Sequence, residues 1–177
     1  MARNKKLYII ECIPRSEKCN ESLVLSNFLR MTEPDAIHAN SIKTKSQLLR
    51  FLGSKRDLQK FDFAHISAHG GDDNESIKLP QGIIRPEELP EGCFSRQTVT
   101  LSACGMSRTN FVSEFMQTTG ASHVIAPKHD VEFIDAAVWF INFYYLVLHQ
   151  VYTPKGAFDR TNSILKGKAK GGFQFWT

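Results

Sequence analysis

The chain has 177 residues, 42% of them hydrophobic and 23% charged, which suits one globular domain spanning residues 1–177 and excludes wholesale disorder. A formal charge of +4 lies far below the dense basic footprint of a dedicated nucleic-acid binder. The longest nearly apolar run, residues 136–148, is broken by Asn142 and falls short of the roughly 20 residues that span a bilayer, and the apolar residues 7–10 are too few for a signal-peptide core.

Short β-branched or aromatic runs alternate with longer helical patterns. Residues 7–13 read as a buried strand. Residues 23–31 follow as a helix with Leu25, Phe28 and Leu29 at helical spacing, and 36–42 as a second strand. Residues 46–58 form a helix striped by Leu48, Leu49, Phe51 and Leu52. The third strand, 61–67 (FDFAHIS), ends at Gly70-Gly71 and an acidic loop, and the fourth, 99–103, is closed by Gly105. A helix over 110–118 stops at Gly120, and a fifth strand over 122–126 stops at Pro127. Residues 133–152 predict one long apolar helix and 157–165 another. The tail carrying Phe173, Phe175 and Trp176 is apolar enough to dock on the body or on a partner. This order predicts an α/β sandwich with a mostly parallel sheet, whose sites lie beyond the carboxyl ends of the strands.

Chemistry is therefore expected just after the third and fourth strands, at His69-Gly70-Gly71 and Ala103-Cys104-Gly105. If those strands are parallel neighbours, an imidazole and a thiol emerge side by side. The imidazole can take the thiol's proton and later protonate a leaving amine. The glycines let a substrate backbone approach and leave N–H groups free to face a developing oxyanion. A buried core thiol and a turn-capping histidine are the plainer alternative. Cys12, Cys19, Cys93 and Cys104 form no CxxC pair and no zinc-ribbon spacing, so all four read as thiols of a reducing, cytoplasmic compartment.

HISAHGG, followed 35 residues after His69 by VTLSACG, resembles the His-Gly and Ala-Cys blocks of caspase-like (clan CD) cysteine peptidases, and within them the CHAT family. KLPQGIIRPEELP resembles that family's hairpin and short helix, GASHVIAPKHDVEFIDAAVWFINFYYLVLHQ its strand, loop and long helix, and PKGAFDRTNSIL its closing helix. The resemblance covers residues 61–165. It implies a caspase-like three-layer sandwich and an intracellular cysteine endopeptidase acting on a protein or peptide substrate, with no metal or organic cofactor. Cys104 would be the nucleophile and His69 the general base and acid, with the N–H groups of Gly70 and Cys104 binding the oxyanion.

Three departures from the family pattern bear on specificity and regulation. The run Cys104-Gly105-Met106-Ser107-Arg108 lacks the acidic or threonine residue that often follows the cysteine. The loop APKHDVEF keeps its proline but inserts Lys128 and His129. The helical repeats to which relatives are often fused are not read in these residues, so a partner protein is expected to supply substrate choice and activation, as would suit a stress or defence effector. Relatives that cut after Arg or Lys often carry Asp two positions before the nucleophile, where this chain has Ser102. Asp130 and Glu132 remain candidates for substrate contact, against a plainer role in capping the following helix.

Rival readings are weaker. His65, His69, Asp72, Asp73 and Cys104 are all metal-ligand types, but four positions along a strand separate His65 from His69 by roughly 13 Å, so His65 reads as a packed or hydrogen-bonded side chain. Arg3, Lys5, Lys6, Lys155, Arg160, Lys166, Lys168 and Lys170 could join into a basic patch, with solvated termini as the plainer account. The long apolar helix packs on the sheet or forms a membrane or dimer surface. The rival to catalysis is a silent caspase-like module that works through protein contacts alone.

Overall fold

The computed structural model describes residues 5–14, 16–17, 20–73, 75–165 and 172–177, with backbone alone for Lys55 and Arg56. Cys19, Arg3, Lys166, Lys168 and Lys170 lie outside the described residues. Strands β1 (Leu7–Glu11), β2 (Ile37–Ser41) and β3 (Phe63–Ser67) are followed by a small antiparallel sheet of β4 (His69–Gly70), β5 (Ile77–Lys78) and β6 (Ile83–Ile84). Then come β7 (Thr98–Ser102), β8 (His123–Pro127) and β9 (Phe173–Trp176). The main sheet has six strands in the order β2-β1-β3-β7-β8-β9, and every neighbouring pair is parallel except β8 with β9.

Period-two patterning sends alternate side chains of the inner strands to opposite faces. Tyr8, Ile10, Ala64, Val99 and Leu101 pack with Leu48 and Leu52 of α2 (Lys45–Gly53) and Phe111 and Phe115 of α4 (Thr109–Thr119). Leu7, Ile9, Phe63 and Ile125 face α1 (Glu21–Arg30), α5 (Phe133–Tyr144) and α6 (Pro154–Ile164) through Leu25, Leu29, Trp139, Phe143 and Ala157. The result is a three-layer α/β sandwich, helices on both faces of a mostly parallel sheet.

Local chemistry starts and stops these elements. Asn20 caps α1 by accepting from the Leu23 N–H at 2.9 Å, Thr44 and Gln47 form a reciprocal capping box on α2, and Gly120 ends α4 at φ 70°. The single helix expected over 46–58 is two, because the chain breaks at Ser54 before the short α3 (Lys55–Leu58). The long helix expected over 133–152 is α-helical only to Tyr144. It widens into a π-helical turn, Tyr145–His149, with Leu146, Val147 and Leu148 all buried, and Val151 at φ 57° lies just beyond. The apolar tail is strand β9, in which Phe173 is buried and stacks on Trp139 with ring centroids 4.5 Å apart.

Candidate active site

β3 and β7 are adjacent and parallel, with Ser67 opposite Ser102, so the segments after them leave the sheet at one edge. The Ala68 N–H donates to the Ser102 carbonyl at 3.1 Å, carrying the pairing one residue past β3. His69 and Cys104 then line the same cavity of about 20 Å³, together with Ala68, Ser102, Ala103, Pro127, Val131, Phe133 and Ala136. The two residues singled out from the sequence are thus brought together.

Glycine shapes both turns. Gly105 takes φ 69°, a left-handed conformation that lets the chain turn straight after Cys104. A Cβ at Gly70 would collide with the Cys104 carbonyl oxygen, so the two segments approach backbone to backbone. Gly71 is equally confined, by Ser76 and Asp73. Asp73 accepts from Ser76 Oγ at 2.7 Å, from the Glu75 N–H at 3.0 Å and from Arg85 at 3.0 Å. The Ser76 bond first, then the others, hold its carboxyl down at about 2. This acid therefore builds the loop beside His69.

Cys104 is partly exposed, whereas Cys12 and Cys93 are buried. Burial first, and Glu11 second, push the Cys12 thiol up to about 12, which makes it inert at neutral pH. The Cys104 sulfur lies 3.8 Å from the Val131 carbonyl oxygen. The Phe133 ring stands edge-on to His69, centroids 5.6 Å apart. Residues 127–133 therefore close over the cavity.

Of the candidate substrate residues, Ser102 is buried and lines the cavity, with no acid in that position. Asp130 and Glu132 are exposed and do not line it. Glu132 occupies the N-cap position of α5 without a side-chain capping bond, so the capping role considered for it is not seen.

Two features escaped the sequence. The first is Glu17, whose Oε2 lies 2.8 Å from His69 Nε2. No motif marks it; the only available signal was that the loop after β1 leaves the sheet at the same edge. The second is a buried polar cluster beneath the site. His65 Nδ1 lies 2.7 Å from Thr100 Oγ1, which lies 2.6 Å from Tyr144 Oη, while Glu21 accepts from Ser67 Oγ at 2.9 Å and sits 3.5 Å from His65 Nε2. His65 is a hydrogen-bonded side chain inside the sandwich, in keeping with the packed role read for it. Among the described residues, no group of three or more His, Cys, Asp or Glu side chains is placed to hold a metal ion, and no helix is long and apolar enough to cross a membrane.

The three-layer arrangement with its paired strand ends is the caspase-like fold. A solved structure with this fold is that of separase in the Saccharomyces cerevisiae separase–securin complex, which matches 98% of this chain with a TM-score of 0.61 and 13% sequence identity. The match spans only 12% of the separase chain. No protein-family model matches the chain, and no curated protein matches it. At this identity the likeness establishes the caspase-like fold and nothing further.

Proposed function

We propose that the protein is a cytoplasmic cysteine endopeptidase of the CHAT type that hydrolyses peptide bonds of a protein substrate through Cys104 and His69. The observation that carries this reading is the shared cavity of these two side chains at the carboxyl ends of adjacent parallel strands. His69 takes the thiol proton, and the thiolate attacks the scissile carbonyl. The Gly70 and Cys104 N–H groups face the oxyanion, which collapses to an acyl-enzyme as His69 protonates the leaving amine. Water, deprotonated by His69, then releases the acid product and restores the thiol.

Activation falls to a protein partner. The Val131 carbonyl and the Phe133 ring cover the dyad, and about 20 Å³ admits no peptide side chain of ordinary size, so residues 127–133 must move before a substrate strand can enter. Separase, a cysteine protease of this fold, is itself seen in a complex with another protein, securin. Ser102 in place of an acid speaks against a strict Arg or Lys preference, and a stress or defence setting fits such partner control. The same closure favours a second reading, a silent module that acts through protein contacts.

The test is to incubate the protein with a proteome-derived peptide library and sequence the new termini. Wild type should generate them and Cys104→Ala should generate none while melting normally. Identical termini from Cys104→Ala would sink the assignment, and no termini from wild type, alone or with lysate added, would favour the silent module.

A further inference from the structure

We infer that Glu17 is a positioning residue for His69, converting the Cys104–His69 pair into a three-part relay; this rests on the dyad proposed above. The imidazole has two nitrogens, and Nε2 is engaged by the Glu17 carboxylate at 2.8 Å. A carboxylate only accepts, so Nε2 carries the hydrogen and Nδ1 is the nitrogen left to receive the thiol proton. The carboxylate also lies beside the positive charge that appears on the ring when the thiolate forms, and so favours the ion-paired, reactive state.

Glu17 is held for this task by the loop that carries it. Its N–H donates to the Pro14 carbonyl at 3.0 Å, closing a turn just after β1. Both ends of the loop are fixed by the buried Glu11, which accepts from the Ile13 N–H at 3.0 Å and the Ser22 N–H at 3.1 Å. At the far end Asn20 caps α1. The Cys12 N–H donates to the Ser67 carbonyl at 2.7 Å, which pins the loop to the strand that leads into His69. The ring is then gripped from two sides, by Glu17 and by the edge-on Phe133. Glu17 also lines an open cleft of about 540 Å³ between α1 and β2, so its side chain is reachable from solvent and its replacement should spare the core.

The experiment follows iodoacetamide labelling of Cys104 at pH 7 by peptide mass spectrometry in wild type, Glu17→Ala, Glu17→Gln, His69→Ala and the Glu17→Ala/His69→Ala double variant. Glu17→Ala should slow labelling about tenfold, and Glu17→Gln, which still accepts the Nε2 hydrogen but lacks the charge, should fall between it and wild type. On the His69→Ala background, Glu17→Ala should change nothing further, because the carboxylate acts only through the ring. Labelling of Glu17→Ala at the wild-type rate, with His69→Ala slow, overturns the role of Glu17 and leaves the dyad standing. An equal loss on both backgrounds also overturns it, since a merely structural effect would look that way. Labelling of His69→Ala at the wild-type rate overturns the dyad and the role of Glu17 together.

Discussion

Gly70 and the carbonyl oxygen of Cys104 lie so close that no side chain fits between them. This backbone contact sets the spacing between the segment that carries the imidazole and the turn that carries the thiol. Gly70→Ala must push them apart. The substitution is expected to cost about 1–3 kcal/mol of stability, the usual range for overpacking, and to slow Cys104 labelling more than it lowers stability would explain. Urea unfolding and labelling of the same sample check both parts, and an unchanged urea midpoint would refute the contact.

The covering segment makes a separate prediction about access. Phe133→Ala removes the ring beside His69 and enlarges the cavity lined by Cys104. Bulky maleimides should gain on small iodoacetamide as Cys104 reagents, so the ratio of their rates should rise several-fold. A ratio equal to that of wild type would mean that the closure lies elsewhere.

Stability should fall in alkali. Burial pushes Tyr8 and Cys12 up to about 12, and Tyr144 well above the ordinary tyrosine value of 10.0. The folded chain therefore holds these protons more tightly than the unfolded chain, and the stability they contribute is complete below about pH 9 and lost as the pH climbs from there toward 12. Urea midpoints should hold between pH 7 and 8 and decline above 9. Tyr144→Phe should make that decline shallower while lowering stability at pH 7 by about 1 kcal/mol, through loss of its bond to Thr100. A flat profile up to pH 11 would contradict the burial assigned to these groups.

The last strand should matter as much as an inner one. Phe173 is buried against Trp139, so Phe173→Ala should cost about 3–5 kcal/mol. β9 also reaches the turn after Cys104: Trp176 Nε1 donates to Ser107 Oγ at 3.0 Å, and the Ser107 N–H donates to the Pro127 carbonyl at 2.9 Å. Trp176→Phe, which drops the donor and keeps the bulk, should alter Cys104 labelling with little change in melting temperature. If labelling is unaffected, the Ser107 link does not govern the turn.

Most of the strand–helix order and the sheet class follow from the sequence alone, and it places His69 and Cys104 at strand ends; their meeting depends on β3 and β7 being parallel neighbours, which the fold supplies. The sequence signals are local: period-two runs, helical stripes, and glycines directly after His69 and Cys104. The widened turn after Tyr144 was hidden because apolar residues continue through it, whereas the break at Ser54 carries a local signal, Gly53-Ser54 followed by three charged residues before Leu58. β9 was legible as an apolar tail but not as a strand, since its hydrogen bonds go to β8, a partner nearly fifty residues away. The tertiary structure alone decided the pairing of Glu17 with His69 and the cover of Val131 and Phe133 over the thiol. Those contacts join loops that are distant in the chain, and such loops meet only because parallel strands deliver all their carboxyl ends to one edge of the sheet.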